Sequence, residues 1–311
     1  MILNNKNVFA QLLFFLGIWL LCLGFLAIAS LVVAAKCGVN FSDVAGLLKA
    51  KNTAILPFIK WVLIIQSLLF FILPPLVFAF LIHKNGFKYL GLVLPKIAWH
   101  WVAGVALLIL AMPFVGLLGQ LNEAILPNSF KLASQDYKDQ IDFLLADMRQ
   151  TKSLVFMLFT AGLLAGLGEE LLFRGVLQNL FIKITKSPWA GIIVIALFFS
   201  AFHMEFTAFL PRFALGVLLG IAYWYTGSLW VSILGHTIFN VASIIGMYYN
   251  VAVESVAASN QNLALIISGV ISLIIVVFLV RALIKTSLTN YKEVYGIAKV
   301  SSSNFDNYFK K

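Results

Sequence analysis

Four places in this sequence put polar groups inside long apolar runs: Glu169-Glu170 with Arg174, then His203, then His236, then Asn240. A charge at the centre of a spanning helix costs at least about 2.5–3.5 kcal/mol on insertion scales, so such groups are functional candidates by default. Glu170 and Arg174 stand four apart, share one helix face and can pair. That pairing neutralises Glu170 and suits a supporting part, holding helix register or orienting substrate. Glu169 is turned about 100° away on a helix of 3.6 residues per turn and has no partner nearby in sequence. A carboxylate in that setting can act as a general base toward water. His236 and Asn240 again lie four apart on one face. A single histidine on an apolar helix is often a hydrogen-bonded core residue, because burying an unpaired imidazole is costly. Here His203 and His236, two of the four histidines, fall in spans with no other basic residue. His100, near the start of a span, reads as interfacial, and His83, at a helix end, as structural. Glu205 reads as a boundary residue solvated by headgroup water. Arg212 can snorkel or hold an acidic group.

The elements that must position these residues are membrane helices. Of 311 residues, 62% are hydrophobic and 11% charged, whereas a soluble domain is about half apolar and about a quarter charged. The excess has lipid as its natural solvent. A spanning helix needs about 20 residues, and apolar runs of that kind lie near 8–35, 54–82, 97–118, 153–182, 188–205, 207–226, 228–250 and 262–284. The expected fold is all-α, a polytopic transmembrane helical bundle of about eight spans. The first run exceeds the roughly 7–15 residues of a signal-peptide core and reads as a retained helix. Pro74-Pro75 should interrupt the second span. Gly162 with Gly166, and Gly216 with Gly220, are small-residue pairs that let helices approach closely. The chain divides into N-terminal helices with a surface segment over 1–150, a core over 151–250, a last helix over 251–284 and a polar basic tail over 285–311.

In the segment 119–152, Ile141, Leu144, Leu145 and Met148 recur at helical spacing, as in an amphipathic helix lying on a membrane surface. The net charge of +10 comes from lysines between apolar runs and in the tail, not from a basic face with interleaved aromatics, so a nucleic-acid partner is not expected. The Lys bias favours cytoplasmic termini. Cys22 and Cys37 are too far apart along a helix for a disulfide.

Taken together, the motifs resemble the CAAX protease and bacteriocin-processing (CPBP, or Abi) family, whose pattern is E-E-x-x-x-R, then F-x-x-x-H, then H-x-x-x-N or H-x-x-x-D. Here the pieces read Glu169-Glu170…Arg174, Phe199…His203 and His236…Asn240, in order, over about residues 150–250. Gly86-Phe87-Lys88-Tyr89-Leu90-Gly91-Leu92 also looks like the N-terminal part of bacterial members. The resemblance implies an intramembrane endopeptidase in which Glu169, His203, His236 and Asn240 are catalytic and Glu170 and Arg174 supporting. It implies a peptide or protein substrate at the membrane, met in peptide maturation or bacteriocin immunity, and a bacterial inner membrane as the location. Family members are often labelled metalloproteases. A zinc site takes about three strong ligands from His and carboxylate, and here Glu169, His203 and His236 would have to supply them, leaving only Glu170 as base. A metal-independent mechanism is therefore favoured over zinc. The rival readings are a proton-coupled transporter, which should show inverted repeats that the sequence lacks, and a non-catalytic scaffold or immunity factor.

Overall fold

The computed structural model describes residues 7–135, 139, 143, 144, 146, 147, 150–250 and 258–287. Among these there is no strand, and eight helices organise the chain. They are α1 (Val8–Lys36), α2 (Thr53–Ile82), α3 (Trp99–Ile125), α4 (Thr151–Thr185), α5 (Pro188–Phe202), α6 (Phe206–Thr226), α7 (Leu229–Asn250) and α8 (Ala258–Thr286). Seven are long and apolar enough to cross a membrane, and α5 is a shorter apolar helix. The chain is a multi-pass integral membrane protein. Its outward side chains, such as Leu13, Leu20 and Phe25 on α1 and Ile267 and Ile271 on α8, are large, apolar and exposed, as lipid requires.

Helix α4 is the centre. It packs against α2, α5 and α7, while α7 also meets α3 and α6; α1 and α8 lie outside against α2 and against α3 with α6. Glycines set these approaches. A Cβ on Gly166 of α4 would fall 3.0 Å from the Thr237 backbone nitrogen of α7, and one on Gly216 of α6 would fall 3.0 Å from Ala196 Cα of α5. These are the close contacts expected of the two small-residue pairs. Gly168 lies against Phe71 of α2 in the same way.

The interruption expected at Pro74-Pro75 takes the form of a π-helical stretch, Ser67–Ile72, just before the prolines. Pro74 cannot donate to the carbonyl four residues back, and that carbonyl, on Phe70, accepts instead from Trp19 Nε1 of α1 at 3.1 Å. Helix α4 contains two further π stretches, Leu158–Leu164 and Leu171–Gln178, a geometry that recurs at functional sites.

Two boundaries differ from those expected. Helix α3 does not stop near 118. It runs to Ile125 because Asn122 is buried and useful there: its Nδ2 donates to Phe206 O and Thr207 O, both at 2.9 Å, and its Oδ1 accepts from Leu210 N. His100 is not interfacial but buried, since the last turn of α8 covers it and places Thr286 Oγ1 3.3 Å from its Nε2. Of the proposed amphipathic segment, Ile141, Leu145 and Met148 lie outside the described residues, as does the tail beyond 287. Leu144 and the adjacent Phe143 pack on a small cluster with Ala34, Ile55 and Phe58. Asp147 is tied to Lys60 of α2 at 2.9 Å. Cys22 and Cys37 are both free.

Candidate active site

Gly166 and Gly168 give α4 no side chain on the faces turned to α7 and α2, so the next residues, Glu169 and Glu170, are carried deep between helices. Glu170 is 0% exposed and its side chain meets three donors: Arg174 Nη1 at 2.6 Å, His236 Nδ1 at 2.9 Å, and the Ser232 hydroxyl. The four-residue pairing of Glu170 with Arg174 thus forms, although α4 is π-helical from Leu171 onward. Arg174 itself is fully buried. Its Nη2 donates to Gly216 O at 3.1 Å, and its guanidinium lies 4.6 Å from the Phe199 ring centroid, a cation–π distance.

Glu169 points away from Glu170, as helix geometry requires, but it is not alone. Its Oε2 lies 3.8 Å from His236 Nε2, and its side chain keeps 12% exposure. The sequence-based expectation that Arg174 alone neutralises Glu170, and that Glu169 has no neighbour, is therefore incomplete. The missing contact is long-range: His236 on α7 reaches both carboxylates of α4 with its two ring nitrogens.

His203 is not inside a spanning helix. It caps the C-terminus of α5, and the next residue, Met204, adopts φ +54°, a left-handed conformation uncommon outside glycine, which ends the helix. His203 Nδ1 is 2.8 Å from Phe199 O. The Phe199 ring joins the two histidines, with its centroid 5.0 Å from that of His203 and 6.0 Å from that of His236. Glu169, Arg212 and His236 all lie within electrostatic reach of His203. Asn240, one turn beyond His236, donates from Nδ2 to Ala161 O at 3.1 Å, in the first π stretch of α4. That leaves the second hydrogen of the same nitrogen for another acceptor. Arg212 is paired with Glu205, so the acidic group it holds comes from its own chain.

The protonation pattern follows from these partners. Phe199 O can only accept, so His203 carries its proton on Nδ1. Glu170 Oε1, already receiving Arg174, accepts from His236 Nδ1. In the neutral state both histidines therefore present bare Nε2 atoms, since the nitrogen holding the proton is set by its hydrogen bond. Glu169 and two imidazole lone pairs together offer groups that can take up protons and pass them on.

A zinc hydrolase site requires about three strong protein ligands. Among the described residues, no three His, Cys, Asp or Glu side chains come together in a group able to hold a metal ion.

Two buried hydrogen-bonding groups that join helices escaped the sequence. Asn122 sat in a segment read as extramembrane. Ser232 lies four before His236, but a mid-helix serine most often bonds its own backbone and by itself signals nothing.

Residues 151–242 match the family model described as type II CAAX prenyl endopeptidase Rce1-like. No curated protein and no solved structure matches the chain. The matched segment holds both glutamates, both histidines and Asn240. Over those residues the chain is similar to Rce1-like endopeptidases, consistent with the CPBP resemblance.

Proposed function

We propose that this chain is an intramembrane endopeptidase that hydrolyses a peptide bond with water activated by Glu169. The observation that carries this reading is the seat of His236 between the two carboxylates of α4, with Nδ1 on Glu170 and Nε2 facing Glu169, inside the segment that matches a peptidase family. Glu169, assisted by His203 Nε2, takes a proton from water, and the resulting hydroxide attacks the scissile carbonyl. Asn240 donates its second Nδ2 hydrogen to the oxyanion. His236 donates through Nε2 once that nitrogen holds the proton Glu169 took from water. Each such donor is commonly worth about 2.7–4 kcal/mol. The proton leaves with the amine when the C–N bond breaks. Glu170 and Arg174 hold His236 and the helix register.

The substrate we infer is a membrane-associated peptide or protein, processed in peptide maturation or bacteriocin immunity, and the mechanism needs no metal. Purified protein in nanodiscs, incubated with lipid-anchored peptides with and without a prenyl group, tests this by mass spectrometry of the fragments. Cleavage that is abolished in Glu169→Gln supports the reading. Absence of cleavage together with substrate-driven proton flux across liposomes would favour a transporter.

A further inference from the structure

We propose that Ser232 is a positioning residue of this site, fixing through Glu170 the tautomer and tilt of His236. The kinetic part of this assignment rests on the proteolytic reading; the geometric part does not. Hydroxyls on the helices of this chain usually turn back on their own backbone: Ser30, Ser67, Thr160 and Ser243 each donate to the carbonyl four residues earlier. Ser232 does otherwise. It is 0% exposed on α7, and its Oγ donates across to Glu170 Oε2 of α4. The carbonyl of Leu219, 3.4 Å away, is the competing acceptor.

The consequence lies in how the two oxygens of Glu170 divide their partners. Oε1 receives Arg174 and His236, and Oε2 receives Ser232. Ser232 and His236 are one turn apart on the same face of α7, so they grip the carboxylate from one side while Arg174 holds it from its own helix. A carboxylate bound at one oxygen can swing about its Cγ–Cδ bond; bound at both, it cannot. The orientation of Glu170 decides which nitrogen of His236 carries a proton, and so which one faces Glu169. Ser232 touches neither substrate nor the reacting water, and acts through Glu170.

The test uses the full chain in nanodiscs, with nitrogen-labelled histidine spectra and cleavage kinetics, and His236 assigned by comparison with His236→Gln. In the wild type, His236 should be protonated at Nδ1 and bare at Nε2. Ser232→Ala should give a mixture of tautomers and lower kcat by about tenfold to a hundredfold, by analogy with the range for residues that orient metal-ligating histidines, with KM little changed. Ser232→Thr, which keeps the hydroxyl, should retain the wild-type tautomer and more of the rate. A wild-type tautomer and wild-type kcat in Ser232→Ala overturn the assignment. Should Ser232→Ala yield too little protein, Ser232→Thr and Ser232→Cys decide: equal tautomers and rates in these two overturn it, since a thiol is the poorer donor. If the wild type cleaves nothing, the proteolytic reading fails, and the spectra still decide whether Ser232 positions His236.

Discussion

Glu170 and Glu169 are neighbours in sequence with opposite surroundings, and their replacement should separate them. Glu170 is enclosed by Arg174, His236 and Ser232, whereas Glu169 keeps a partly exposed edge and lies 3.8 Å from His236 Nε2. Removing one member of a buried ion pair leaves an uncompensated charge and costs about 3–5 kcal/mol. Glu170→Gln should therefore lower the melting temperature in detergent and, by loosening His236, also lower kcat. The double change Glu170→Gln with Arg174→Gln should recover part of the lost stability and none of the rate. Glu169→Gln strands no charge and should give a stable, well-expressed and inactive protein. Wild-type turnover in Glu169→Gln, or a double variant no more stable than Glu170→Gln, would contradict these roles. Metal dependence belongs to the same scale. Active protein should hold less than stoichiometric zinc by elemental analysis and keep its rate after chelation; a reversible loss restored by zinc would show that the site recruits a further metal ligand and works through the ion.

Helices α4 and α7 must come within backbone contact for the site to exist, and the glycines measure how close. A Cβ at Gly166 would press on the Thr237 backbone, one residue from His236, whereas one at Gly17 of α1 would meet nothing within 4 Å. Overpacking a tight contact costs about 1–3 kcal/mol, and a displacement of about 1 Å at a reacting group can cost about a hundredfold in rate. Gly166→Ala should reduce kcat strongly in the cleavage assay, while Gly17→Ala should leave rate and melting temperature near wild type. Equal behaviour of the two would show that the approach of α4 to α7 does not limit catalysis. The glycine pairs, the interruption at Pro74-Pro75 and the pairing of Glu170 with Arg174 were legible in the sequence because each is a local rule of helix geometry. The contacts of His236 with both glutamates, of Ser232 with Glu170 and of Asn122 with the first turn of α6 were not, because each joins residues more than 60 positions apart. The end of α5 at His203 was also hidden, since an apolar run does not reveal where a non-glycine residue such as Met204 turns left-handed.

At the scale of the whole molecule, composition alone indicated helices in lipid, and the eight apolar runs correspond to α1 to α8 with boundaries shifted by a few residues, most of all at the end of α3. Which way the bundle faces depends on charges outside the helices. If every helix from α1 to α8 crosses or returns, the connections carrying Lys84, Lys88 and Lys96, and Lys186 with Lys183 in the last turn of α4, fall on the same side as both termini. The connections carrying Lys49 and Lys51, and Lys131, Lys138 and Arg149, fall on the other, with Lys36, Lys60 and Lys152 at or near the adjoining helix ends, so the bias is modest. The N- and C-terminal segments add Lys6, Lys292, Lys299, Lys310 and Lys311 to the first side. Basic residues in short connections are retained in the cytoplasm, so the termini should be cytoplasmic. His203 and the turn before α6 then lie toward the opposite face, because α5 starts at the connection bearing Lys186 and runs away from it. A substrate entering from that face would be a secreted or membrane-emergent peptide rather than a cytosolic protein. Reporter fusions at Lys311 and in the connection near Asn128 should report opposite sides. The same side for both would break the eight-helix traverse, and opposite sides with an external Lys311 would invert the orientation and bring the mouth of the site to the cytoplasm.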